Sequence, residues 1–211
     1  MENVFESDKL IIKNKIMGMV SNNVYYLESN GEKVIVDPSC KAPEIIEYAG
    51  GADIAKILIT HYHFDHTGAA NELRNLTNAK TYASKTDAVN IEAGSDDKFP
   101  YRRVDPCPVD VKLVEGDNIK IGTTTWRVIE TPGHTMGCIC FYSEDSGDIP
   151  ILLCGDTLFK CSMGRVDFPD SSPEAMQESL AKLSKLPDET LVLPGHEAFT
   201  TIGHERNFML P

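Results

Sequence analysis

His61-Tyr62-His63-Phe64-Asp65-His66 puts four ligand-type side chains into six residues, directly after the apolar run 55–60. Imidazole nitrogens and a carboxylate suit zinc, iron or manganese, and a strand ending here lets the following residues converge on one point. His61 and His63 alternate, so both project to the same side of an extended backbone. Asp65 and His66 fall where the chain turns into a helix, placed to serve a second ion beside the first. The bland reading is an incidental histidine cluster, and three other places in the chain argue against it.

Those places are Thr131-Pro132-Gly133-His134, Leu152-Leu153-Cys154-Gly155-Asp156 and Val192-Leu193-Pro194-Gly195-His196. Each is a short apolar strand, a tight turn containing glycine, and then a ligand-type residue. Taken singly, each reads as a turn with a surface polar residue. With the cluster at 61–66 they absorb five of the six histidines, which turns alone do not explain. The sixth, His204, has no partner in the scheme and reads as a surface or helix-terminal residue. A motif set rich in ligands and poor in activated serine or cysteine nucleophiles predicts metal-assisted hydrolysis, with metal ions lowering the pKa of water.

The elements that must position these residues alternate in type. Segments 10–17, 22–29 and 33–37 are rich in Ile, Val and Tyr, and Asn30-Gly31 is a hairpin signal. A short helix over 43–49 leads to a buried strand at 55–60 that stops at the histidine cluster. A helix at 67–76, a strand at 80–84 and a helix at 85–93 follow, a rhythm that covers a sheet with helices. Residues 94–108 hold three prolines and Tyr101-Arg102-Arg103 without periodicity, so they form a long loop, a candidate substrate cover. Strands at 109–113, 124–130, 139–143 and 151–154 come next. Ser172-Pro173-Glu174 supplies a cap, a first-turn proline and an early acid for a helix, and 190–193 is the last strand. The coarse doubling of strands then helices predicts two packed sheets with helices outside.

Composition limits the readings. At 211 residues, 41% hydrophobic and 25% charged, the chain has the make-up of a single soluble domain with no run long enough to span a bilayer. The N-terminus lacks a basic stretch followed by an apolar one, so the cytoplasm is the default compartment. Six cysteines read as reduced thiols, and the pair Cys138 and Cys140 as packing rather than soft-metal ligands. A net charge of −12 disfavours nucleic acid and anionic membranes as partners. A small molecule is the expected partner; oligomeric state is not encoded in any visible signal.

The motif H-x-H-x-D-H at 61–66, followed in order by His134, Asp156 and His196, resembles the metallo-β-lactamase superfamily. Gly155-Asp156-Thr157-Leu158-Phe159, Gly164-Arg165-Val166-Asp167 and the ending Thr200-Thr201-Ile202-Gly203-His204-Glu205-Arg206 are similar to short members of its hydroxyacylglutathione hydrolase (glyoxalase II) branch. The resemblance spans nearly the whole chain. It implies an αββα sandwich, two mixed sheets face to face with helices on both outer sides. It also implies two divalent metals, zinc foremost with iron or manganese as substitutes. His61, His63 and His134 would bind the first, Asp65, His66 and His196 the second, and Asp156 both. Asp65 and Asp156 would be the catalytic carboxylates, Asp65 orienting or deprotonating the attacking water, and the substrate a thioester or related ester. Asp37 matches a family aspartate that supports the ligands without binding metal, although an Asp before Pro38 also reads as a turn starter.

The resemblance has limits. The C-terminal helical extension with which typical members bind glutathione has no counterpart within 1–211. Arg165 falls where a basic residue of the family meets the glutathione carboxylate, and a salt bridge to Asp167 or Asp170 is the competing reading. Lys160, Arg102 and Arg103 are further candidates for an anionic substrate tail, with a solvated surface the favoured reading for all three. The competing activities are a mono-iron persulfide dioxygenase and a lactonase of the same superfamily. A true β-lactamase ranks lower, because those enzymes lack the bridging aspartate.

Overall fold

The computed structural model describes residues 2–94 and 104–209. Most of the loop expected at 94–108, including Tyr101, Arg102 and Arg103, lies outside them. The first sheet opens with an antiparallel meander of β1 (Glu2–Glu6), β2 (Ile11–Met17), β3 (Asn22–Ser29) and β4 (Glu32–Val36). Asn30 and Gly31 both take positive φ, 48° and 79°, the turn whose twist matches that of the flanking strands. Three parallel strands extend the sheet: β5 (Ile54–Leu58), β6 (Lys80–Ser84) and β7 (Val111–Leu113). Helices α1 (Ala42–Tyr48), α2 (Phe64–Thr67), α3 (Ala70–Thr77) and α4 (Ala88–Ala93) fill the crossovers.

The second sheet repeats the plan. A meander of β8 (Asn118–Ile121), β9 (Thr124–Glu130), β10 (Ile139–Ser143) and β11 (Ile151–Gly155) gains a parallel strand, β14 (Leu191–Pro194), after α5 (Pro173–Leu183). The hairpin of β12 (Leu158–Phe159) and β13 (Ser162–Met163) stands apart from it. The edge strand β15 (Thr200–Thr201) runs into α6 (Ile202–Met209). The Ser172 hydroxyl accepts from the Ala175 amide at 3.1 Å, the cap expected from the sequence.

Three apolar layers make this the αββα sandwich of the sequence reading. Leu27, Val34, Leu58, Trp126, Phe141 and Leu153 lie between the sheets. Ile35 and Ile57 on the outer face of the first sheet meet Ile45, Leu73 and Ile91 of its helices. Cys140, Leu152 and Val192 on the outer face of the second meet Met176, Leu180 and Ile202. Central strands are buried on both faces, hence their continuous apolar runs rather than alternation.

The helix expected at 67–76 is broken. The Ala69 amide donates to the Pro38 carbonyl at 2.9 Å, and a Cβ on Gly68 would stand 2.2 Å from the Ser39 carbonyl oxygen. The neighbouring backbone therefore interrupts the helical ladder and separates α2 from α3. β1, β8, β12, β13, β15 and α6 were not anticipated. Most are short and half exposed, so their form comes from pairing rather than from a periodic pattern of their own.

Candidate metal centre

All the ligand-type residues follow strand ends or the turns just beyond them, on one rim of the sandwich: Asp37 after β4, His61 to His66 after β5, His134 after β9, Asp156 after β11 and His196 after β14. Two glycines let these turns close. Gly155 has φ +49°, and a Cβ on Gly195 would stand 2.3 Å from Asp156 Oδ1, so the chain before His196 tolerates no side chain.

The seven residues converge. Ligand atoms of His61, His63 and His134 lie within 4.8 Å of one another, as do those of His61, His66 and Asp156, and those of Asp65, His66 and His196. Asp156 spans the groups, with Oδ1 at 3.4 Å from His66 Nε2 and Oδ2 at 3.4 Å from His134 Nε2 and 3.6 Å from His196 Nε2. Asp65 Oδ2 sits 3.1 Å from His196 Nε2 and 3.5 Å from His66 Nε2.

Hydrogen bonds on the outer side of each ring set which nitrogen faces inward. Asp37 is buried and its carboxylate accepts from the Thr60 amide (2.8 Å), the Thr60 hydroxyl (2.7 Å) and His66 Nδ1 (2.9 Å). It therefore steadies His66 as well as starting a turn. With its proton given to Asp37, the Thr60 hydroxyl accepts from His61 Nδ1 at 3.1 Å. His134 Nδ1 donates to the Arg165 carbonyl at 2.8 Å, and His196 Nδ1 to the Val20 carbonyl at 3.1 Å. The inward Nε2 atoms of His61 and His134 are thus lone pairs, and both face His63 Nδ1, at 3.0 and 2.9 Å. With neutral rings, a single nitrogen cannot donate to both, so three nitrogens meet with at most one proton among them. His66 Nε2 and Asp156 Oδ1 are buried with no hydrogen-bond partner. Cations would resolve both problems, so the residues present fit metal ions.

The electrostatics differ across the centre. Burial, reinforced by His66, His63 and His134, pushes the His61 pKa well below its ordinary value. His66 moves the other way: burial alone would lower it, but Asp65, Asp156 and Asp37 outweigh that and hold it well above. His196 is also raised: burial opposes the shift, but hydrogen bonding to Asp65 and the charge of Asp156 outweigh it. Asp156 is held far below the carboxylate range, the charges of His66, His134 and His196 overcoming a burial effect of opposite sign.

Several positioning residues escaped the sequence reading. Asp87, buried, accepts from the Tyr62 amide at 3.1 Å and the Thr135 hydroxyl at 2.8 Å, tying the loop of His61 and His63 to that of His134. The Asn23 amide group donates to the carbonyls of Pro194 and Glu197, both at 3.0 Å, and the Tyr25 hydroxyl to Pro194 at 2.6 Å, which fixes the loop of His196 to the first sheet. No local sequence signal marks a side chain whose partners lie 25 to 174 residues away.

The remaining candidates fall as follows. Arg165 lines the cleft over the metal centre, and its guanidinium is bidentate to Asp167 at 2.9 and 2.8 Å, the salt bridge the sequence offered as its competing reading. Lys160 lies instead in a recess with Phe199, Thr201 and His204. His204 is exposed on α6, its Nδ1 2.7 Å from the buried Glu205 carboxylate. The six cysteines are unpaired; Cys138 and Cys140 pack in the interior, and burial pushes the Cys140 thiol up to about 11.

Residues 17–196 match the model of the metallo-beta-lactamase superfamily. The chain belongs to this family. A curated relative, the hydroxyacylglutathione hydrolase of Rhodospirillum rubrum, is 36% identical over 185 residues, covering 86% of this chain and 64% of its own length. This chain thus spans a little under two thirds of that enzyme. Among solved structures, BLEG-1 B3 metallo-beta-lactamase superposes with a TM-score of 0.84 at 30% identity, covering 93% of this chain and 96% of that one. The di-iron-bound form of TTHA1623 does so at 0.81 and 30%, covering 94% and 98%. These likenesses support a glyoxalase II-like branch of the metallo-beta-lactamase superfamily, whose fold binds divalent metals. No helix among the described residues is long and apolar enough to cross a membrane.

Proposed function

We propose that this chain is a binuclear metal-dependent hydrolase of small thioesters or related esters, working as one domain over 1–211 in the reducing cytoplasm. The observation that carries the reading is the pair of ligand groups meeting at Asp156, one oxygen toward His66 and the other toward His134 and His196. His61, His63 and His134 would hold one ion, Asp65, His66 and His196 the other, and Asp156 both. Two divalent ions, zinc foremost and iron or manganese by availability, would supply a water acidified toward neutrality and a Lewis acid for the scissile carbonyl.

The chain's own groups do the rest. Asp65, 8% exposed and lining the cleft, would orient the attacking water and accept its proton. His66 is steadied by Asp37 and His134 by the Arg165 carbonyl, so the polar centre is preorganised before substrate arrives. A thiolate is a good leaving group and needs little protonation, which suits a site whose described lining offers no neutral acid beside the ligands. Six unpaired cysteines agree with a reducing compartment.

The likeness to BLEG-1 favours one second reading, β-lactam hydrolysis at the same centre. The test is elemental analysis of protein purified without added metal, followed by assays of that sample with S-lactoylglutathione, with nitrocefin, and for oxygen uptake with glutathione persulfide. About two metals per chain with thioester cleavage is the expected result. Nitrocefin turnover without thioester cleavage would favour the second reading. One iron per chain with oxygen uptake would make the protein a dioxygenase and end the hydrolase proposal.

A further inference from the structure

The cleft over the candidate metal centre, about 530 Å³, is lined by large apolar side chains beside the ligand residues, the Phe168 ring 5.5 Å from that of His63 and the Phe159 ring 6.0 Å from that of His196. Besides Phe168 they include Ile16 at the end of β2, Val20 in the β2–β3 turn and Phe159 of β12. Ile16 is 61% exposed and Val20 45%. Exposed apolar side chains that line a cleft suit the apolar part of a ligand. The hairpin turn is not a loose appendage: the Val20 carbonyl accepts from His196 Nδ1, so its side chains are held at a fixed place relative to the reacting centre.

The charges around the cleft do not suit an anionic tail. Apart from the carboxylates at the ligand centre, the cleft's charged lining residues are Arg165 and Glu197, among the described residues. Arg165 spends its guanidinium fork on Asp167. Glu197, next to His196 and held at φ +66°, sets a negative charge at the mouth. Lys160 faces another recess, and Lys41, in an adjoining recess of about 390 Å³ that shares Phe64 and Asp65 with the cleft, pairs with Glu44 at 3.2 Å.

We infer that the substrate is a thioester or ester with an uncharged apolar half, of benzyl size, seated against Ile16, Val20, Phe159 and Phe168, rather than a conjugate of an anionic peptide thiol. The inference rests on the hydrolase reading and adds the substrate class. Burial of the apolar half strengthens binding in proportion to its area, while a dianionic tail would meet Glu197 without a free cation in compensation among the described residues.

The test compares two thioesters that share an acyl group and have alkyl thiol leaving groups: S-lactoylglutathione and S-lactoyl benzyl mercaptan, on metal-loaded enzyme. The benzyl thioester should show kcat/KM at least about tenfold higher, the scale of discrimination that an apolar pocket supplies. In the double variant Ile16→Ser, Val20→Ser that advantage should fall to within about threefold, mainly through KM. Both side chains are largely exposed and the Val20 carbonyl is retained, so folding and metal content should stay as in the wild type. A preference for S-lactoylglutathione, or a ratio unmoved by the double variant, would overturn the inference. Calorimetry with the non-hydrolysable thioether analogues keeps the two proposals apart. If neither thioester is cleaved but the benzyl analogue binds more tightly, the apolar subsite stands and the hydrolase reading fails; equal or weaker binding overturns the subsite.

Discussion

The two halves of the metal centre are built from different chemistry. The group of His61, His63 and His134 is all imidazole and has its Nε2 or Nδ1 lone pairs pressed together, with His61 pushed well below its ordinary pKa. The group of Asp65, His66 and His196 carries its own negative charge, which raises both histidines. Without metal, a proton on His66 or His196 is a poor substitute for a cation in the second half, whereas His61 in the first disfavours one. The first half should therefore depend more on metal for its shape, and the second should hold its geometry in the apoprotein. Asp156 belongs to both, which makes it the position where the difference disappears.

Replacing Asp156 with alanine should have the largest effect, because it removes a carboxylate from both halves: metal content should fall below one per chain and kcat/KM by roughly 10³-fold or more. Elemental analysis and thioester kinetics on one sample check this, and full metal content in the variant would undo the bridging role. Metal removal comes next. At free metal 1,000 times Kd, binding contributes about 4 kcal/mol, or roughly 8–16 °C in Tm for a domain of this size. Calorimetry before and after chelation reads the shift, and NMR of the apoprotein should find the imidazole resonances of the all-histidine half broadened more than those of His66 and His196.

Single-ligand variants sharpen the contrast. His63→Ala and His66→Ala should each lose about one metal, and His66→Ala should also free Asp37, leaving a buried carboxylate short of a partner and costing thermal stability that His63→Ala does not. Equal Tm values for the two would remove the claimed asymmetry. A smaller effect is expected of Asp37→Ala, which touches no substrate: about 10–100-fold weaker metal binding at the second half, measured by competition with a chromophoric chelator. Smallest of all should be Arg165→Ala. With its guanidinium committed to Asp167 on an exposed surface, KM for S-lactoylglutathione should change less than about threefold, and a much larger rise would restore Arg165 as an anion contact.

Legibility followed the range of the interactions. The strands at 80–84, 124–130 and 139–143 were readable to the residue because their apolar runs are local and bounded by turns. The break between α2 and α3 was not, since it comes from the Pro38 and Ser39 carbonyls packed against Gly68 and Ala69. Asp37 had two readings in sequence, turn and support for the ligands, and its contacts with Thr60 and His66 give it both.

By itself, the order of residues determined the candidate ligands and their places after strands, because metal coordination needs particular atoms and those atoms come with the residue. It also determined the two-sheet plan, through apolar runs that must be buried on both faces. Tertiary structure alone decided which nitrogen of each imidazole faces inward, since that depends on Thr60, Asp37 and the carbonyls of Arg165 and Val20. It decided that Asp87 and Asn23 hold the ligand loops in place. It also decided that Ile16 and Val20 face the metal centre, while Arg165 turns to Asp167. Those outcomes depend on contacts between distant segments, which become fixed only when the two sheets pack.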